Sequence, residues 1–148
     1  MKKTNYRWII HVLFAIYMVV LFKLTILRDS FDFHNYMKYG TLNLTFFAEY
    51  IPFVRRHRWG RILYLFGGNI AAFIPFGAYL GYRGKKILPT VILGFLLSFF
   101  IESMQYIWGV GVSELDDLIL NTLGALIGAA AVKMMEKIKE KKSEKKSS

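Results

Sequence analysis

The chain has 148 residues, 55% of them hydrophobic, with a mean hydropathy of +0.35 and a formal net charge of +10. That length suits one domain rather than two, and a soluble domain of this size rarely carries so much apolar surface. The absence of cysteine excludes disulfides, a thiolate nucleophile and a Cys-built metal site; three scattered histidines show no ligand spacing, so neither metal nor cofactor is expected.

Four apolar runs are each long enough to cross a bilayer as a helix, at about 1.5 Å per residue against a hydrocarbon core of about 30 Å. The first covers residues 8–27. Its apolar core is too long for a secretory leader, and Leu27-Arg28-Asp29 offers no small-residue cleavage site, so it reads as an uncleaved anchor. Residues 31–53 follow, rich in Phe, Tyr and Asn and too interrupted to span. They suit an interfacial or partly re-entrant element lying over the bundle. Arg55, Arg56, Arg58 and Arg61 then form a basic cluster fit to meet lipid phosphates or another anionic envelope group.

The second span, residues 61–82, carries Asn69. Pro75 should free the carbonyl of Ala71 and kink the helix; Gly77 follows it. The third span, residues 88–108, contains Glu102 and Gln105. A carboxylate in hydrocarbon costs roughly 2.5 kcal/mol or more unless it meets a partner or water. The fourth span, residues 116–135, opens on Asp116 and Asp117 and continues through Asn121, Gly124 and Gly128. That glycine spacing allows close helix packing, inside the chain or between two copies in a homodimer. Residues 136–148 form a basic tail, expected to extend the last span as a solvated helix and then fray.

Charge sets the orientation. Lys2, Lys3 and Arg7, then Arg83, Lys85 and Lys86, then the seven lysines from Lys133 onward make 13 of the 20 basic residues. All three groups fall on one side if four spans alternate, so both termini are expected in the cytoplasm. The arginine cluster before the second span is an exception to that rule. Basic residues placed at span ends point to anionic lipid, not to nucleic acid. The fold expected is an all-α membrane protein. A four-transmembrane-helix bundle occupies residues 1–135, with an aromatic-rich interfacial segment between the first two spans.

Converted to depth, the polar residues converge. Asn69 lies roughly 12 Å from the outer end of its helix, Glu102 roughly 9 Å, Gln105 roughly 4–5 Å and Asn121 roughly 7–8 Å, with Asp117 near the surface. Ser98, Glu102 and Gln105 share one stripe; Asp117, Asn121, Gly124 and Gly128 share another. Polar residues in lipid-embedded helices face the bundle or a water-filled cavity. An outward-opening pocket lined by Asn69, Glu102, Gln105, Asp117 and Asn121 is therefore expected, backed by the acidic cluster Glu114-Leu115-Asp116-Asp117. Interhelical hydrogen bonding alone would account for Asn69 and Asn121.

At these residues the chain resembles the VanZ-like family. Asn69-Ile70-Ala71-Ala72-Phe73-Ile74-Pro75-Phe76-Gly77 is similar to its N-x-x-x-F-x-P-F-G motif, and Glu102-Ser103-Met104-Gln105 to its E-x-x-Q. Asp116-Asp117 through Asn121, Gly124 and Gly128 resembles its DD-x-x-x-N-x-x-G-x-x-x-G. There are departures: Leu42-Asn43-Leu44-Thr45-Phe46 lacks the proline of N-x-I-P-F, and Gly111 and Glu114 stand where many members have Arg and Asp. An anion contact made by that arginine would pass to Arg55–Arg61.

The resemblance implies a multi-pass protein of the bacterial cell membrane, associated with tolerance of teicoplanin, a lipoglycopeptide. It transfers no catalytic residue. The leading expectation is a binding or protective protein that takes a lipoglycopeptide or lipid-linked wall precursor in the polar pocket, among membrane lipids. The alternative is an integral-membrane enzyme acting on envelope lipids with Glu102 and Asp117 as acid/base groups, although no nucleophile lies in register with a base. A third class is an assembly subunit using the glycine pair and the tail.

Overall fold

The computed structural model describes residues 7–27, 31–48 and 50–147. Lys2, Lys3, Arg28, Asp29 and the Lys146 side chain, used in the charge and cleavage arguments, lie outside them. Four helices are long and apolar enough to cross a membrane: α1 (Arg7–Thr25), α3 (Trp59–Tyr82), α4 (Ile87–Trp108) and α5 (Leu115–Ser147), with the short α2 (Tyr50–Arg55) between the first two. The protein is an all-α membrane protein.

The helix limits differ slightly from those read off the sequence. α1 stops at Thr25, where Ile26 and Leu27 both donate to the Phe22 carbonyl and close the last turn. The basic tail extends the last membrane helix, as read from the sequence. The helix continues unbroken to Ser147, because the lysine-rich tail is made of good helix formers and contains no glycine or proline. Lys133 and Glu136 form an ion pair there at 2.8 Å.

Glycines set the helix order. A Cβ at Gly124 would strike the Ile70 carbonyl, one at Gly128 the Ile74 carbonyl, and one at Gly77 the backbone of Ala125. Rising numbers meet rising numbers, so α3 and α5 run parallel at backbone contact. α4 runs antiparallel to both and packs chiefly on α5, where Gly94 receives the Ala125 methyl. Gly124 and Gly128 are thus buried against α3 of their own chain. This is the close approach that small residues permit in membranes, where packing and not water exclusion holds helices together.

α1 is held more lightly, with only Leu21 buried along its length. Three hydrogen bonds fix it at three levels. His11 Nδ1 meets the Tyr79 hydroxyl at 3.0 Å, the Tyr17 hydroxyl donates to the Ala72 carbonyl at 2.7 Å, and Gln105 Nε2 donates to the Thr25 carbonyl at 3.1 Å. The middle bond falls beside the turn that Pro75 loosens. Leu21 and Ile26 join Phe73 and Ile101 in the apolar core.

The aromatic segment between α1 and α3 lies across one end of the bundle. Asp32 caps a 3-10 turn at Phe33–Asn35, accepting from the His34 N–H at 2.9 Å and from its ring at 2.8 Å; these contacts hold the exposed Asp32 carboxyl below its ordinary pKa. Strand β1 (Thr41–Asn43) then pairs in parallel with β2 (Val112–Glu114), which lies in the connection from α4 to α5, with Thr41 opposite Val112 and Asn43 opposite Glu114. Gly109 ends α4 in the left-handed conformation, φ 61°, and a Cβ there would also strike the Lys38 carbonyl. Gly40 donates to the Tyr106 carbonyl at 2.7 Å. The segment therefore caps α4 from outside.

Candidate functional site

The five polar residues read from the helical stripes surround one recess. Asn69 comes from α3, Glu102 and Gln105 from α4, and Asp117 and Asn121 from the first turns of α5. Leu21, Leu24 and Thr25 of α1 close its fourth side. The cavity volume is about 160 Å³. Glu102, Gln105 and Asn121 are buried, while Asn69 and Asp117 are half-buried.

Each side chain has a definite partner. Asn69 Nδ2 donates to Asp117 Oδ1, linking the parallel helices α3 and α5. Asn121 Nδ2 donates to Ser98 Oγ at 2.9 Å, linking α5 to α4. Glu102 Oε2 accepts the backbone N–H of Glu114 at 2.9 Å, and Asn43 Nδ2 donates to Glu114 Oε1 at 3.1 Å. A line of hydrogen bonds thus runs from the strand β1 through β2 to the buried carboxylate. Interhelical hydrogen bonds in membranes contribute only about 0.6 kcal/mol each, so such pairs orient the groups more than they stabilise the bundle.

Two further recesses adjoin the first. One of about 280 Å³ shares Asn69, Gln105 and Asp117 with it and extends to Tyr50, Val112 and Glu114 beneath the aromatic segment. The other, about 230 Å³, shares Glu102 and is otherwise largely apolar, lined by Leu42, Leu44, Phe99, Tyr106, Leu115 and Leu118. Glu102 and Glu114 stand where this apolar groove meets the polar interior.

The acidic cluster divides, contrary to its reading as one group. Asp116 is 2% exposed and turns away from the recess to accept the Phe47 N–H at 2.8 Å. It fastens the aromatic segment, leaving Asp117 to the interior. Arg55, Arg56, Arg58 and Arg61 are exposed and line none of the three recesses; the Arg61 guanidinium lies 5.6 Å from the centre of the Tyr64 ring. Gly77, Gly124 and Gly128 lie in the α3–α5 contact, away from the polar groups, while Pro75 is exposed and lines an apolar groove beside α1 with Phe14 and Tyr17.

Asn43 and Thr25 enter the site unannounced by the stripes. Asn43 belongs to a quoted motif, which was its one signal. Thr25 contributes a carbonyl, which no side-chain pattern reveals. Ser98 accepts from Asn121 and Ser103 donates to the Phe99 carbonyl at 2.7 Å, while the buried Ser113 side chain is hydrogen-bonded to the Glu102 carboxyl.

Comparison with known proteins gives the family. Residues 14–136 match the VanZ/LLP1 family. Over 120 residues the chain is 30% identical to Protein VanZ of Enterococcus faecium, an overlap covering 78% of this chain and 68% of the relative. No solved structure is detectably similar. With the family match extending from α1 through most of α5, the chain belongs to the VanZ/LLP1 family.

Proposed function

We propose that this protein binds the head of an amphiphilic envelope ligand in the polar recess, on the outer side of the bacterial membrane, and so contributes to lipoglycopeptide tolerance or cell-envelope homeostasis. A lipoglycopeptide such as teicoplanin and a lipid-linked wall precursor both have the required form, a polar head with an apolar tail. One observation carries the reading: a buried carboxylate, Glu102, stands at the junction of an apolar groove and a polar cavity shared by four helices. Side chains that only tied helices together would need no such recess. The outward placement rests on the basic loop Arg83–Lys86 and the lysine tail lying at the opposite end of the bundle. The exposed arginines before α3 lie on the recess side, where they would meet lipid phosphates.

Growth in teicoplanin tests the proposal. Cells producing Glu102→Ala together with Asp117→Ala, at an unchanged membrane level of the protein, should lose the tolerance that the wild type confers. Undiminished tolerance in that double variant would end the proposal.

A further inference from the structure

Hydrogen-bond acceptors predominate among the polar groups of the recess. Each of its three side-chain amides donates one N–H to the protein: Asn69 to Asp117, Gln105 to the Thr25 carbonyl, Asn121 to Ser98. Gln105 Oε1 has no hydrogen-bond partner among the described residues, although the residue is only 8% exposed and lines both polar cavities. Glu102, Glu114 and Asp117 bring three carboxyl groups to the adjoining walls, and among the described residues no Lys, Arg or His lines any of the three recesses.

This inventory is selective. A phosphate or carboxylate would add acceptors and like charge to a site already supplied with both. A neutral hydroxyl would satisfy one acceptor and leave the others unpaired in a low-dielectric setting. A primary ammonium offers three donors and the opposite charge. A metal ion is a poorer fit, since among the described residues no three His, Cys, Asp or Glu side chains are placed to hold one. The groove of Leu42, Leu44, Phe99 and Leu118 supplies an apolar path that ends at Glu102 and Glu114.

We infer that the recess recognises a primary ammonium group, carried on an amphiphile whose apolar part lies in the Leu42–Phe99–Leu118 groove. This rests on the recess being a ligand site, as proposed above, and specifies what the ligand presents. The anionic part of such a molecule stays outside, toward the exposed arginines.

Native mass spectrometry of the purified full chain tests this, with an equimolar mixture of phosphatidylethanolamine, phosphatidylcholine and phosphatidylglycerol. The three share tails and a phosphate and differ in the head. The ethanolamine adduct should exceed the choline adduct by about tenfold, the worth of one charge-assisted hydrogen bond that a trimethylated nitrogen cannot make. Glu102→Gln and Asp117→Asn should each bring the ratio close to parity. Gln105→Met, which leaves both carboxylates in place, should reduce it and serves if either carboxamide variant fails to fold. Free ethanolamine added in excess should not displace the lipid; displacement would assign the same ammonium site to a soluble amine.

A wild-type preference for phosphatidylglycerol, or no preference, overturns the ammonium assignment. If binding is then still weakened by Glu102→Gln, the recess remains a ligand site for another head. Adducts identical in the wild type and all folded variants remove the recess as a lipid site and overturn the inference as well.

Discussion

Glu102 and Glu114 are joined by a hydrogen bond in which the backbone N–H of Glu114 donates to the Glu102 carboxylate at 2.9 Å. The first residue sits in a membrane helix and the second in a short strand over the end of the bundle. The bond explains how a carboxyl group is kept in an apolar helix: the connection between α4 and α5 folds back and offers it a donor. It also couples the buried site to the aromatic segment, because the Glu114 side chain accepts in turn from Asn43 on β1.

Asp116 and Asp117 are neighbours with separate tasks, and substitutions should separate them. Asp116→Ala removes the acceptor for the Phe47 N–H and should loosen residues 44–58 without emptying the recess of its carboxylates. Limited proteolysis should then cut that segment faster than in the wild type. Asp117→Ala should leave the cutting rate unchanged, since its recorded bond runs to Asn69 inside the bundle.

The parallel contact of α3 and α5 tolerates no added volume. Gly77→Val or Gly128→Val should lower the melting temperature in detergent, with an overpacking cost of about 1–3 kcal/mol or a failure to accumulate. Gly68→Ala is the control: nothing lies within 4 Å of a Cβ at Gly68, so its melting temperature should stay close to that of the wild type.

Gly109→Ala should be costly for a different reason. The residue has φ 61°, a conformation that costs a residue with a Cβ about 1–2 kcal/mol, and its Cβ would also press on the Lys38 carbonyl. The Gly40 amide, which donates to Tyr106 just before this cap, should exchange with deuterium faster in the variant.

α1 depends on few polar contacts. Tyr17→Phe removes the donor to the Ala72 carbonyl and should lower stability by about 0.6 kcal/mol, the usual worth of such a bond in a membrane. A disulfide-trapping series between α1 and α3 should show more frequent separation of the two helices in that variant.

Much of the architecture was legible because hydrocarbon imposes a simple code. Apolar runs of sufficient length gave the four membrane helices, and the glycines of α5 announced a close neighbour without saying which. Asn69, Glu102, Gln105, Asp117 and Asn121 could be grouped because helical period and depth both derive from residue number. The rest depended on contacts between segments far apart in sequence. Three-residue strands carry no periodicity, so the β1–β2 ladder left no trace in the sequence. The turning of Asp116 away from Asp117 follows from the path of Phe47, which no local pattern sets. The Thr25 carbonyl was invisible because it is backbone.

The proposed outward position of the recess is tested most directly by labelling intact cells. The chain has no cysteine, so Thr45→Cys, on the exposed aromatic segment, and Lys85→Cys, in the connection from α3 to α4, each introduce a single reporter. A membrane-impermeant maleimide should label Cys at position 45 on intact cells and reach position 85 only after permeabilisation. The reverse pattern, with position 85 labelled on intact cells and position 45 protected, would place the Glu102 recess on the cytoplasmic side and contradict a role in meeting envelope ligands.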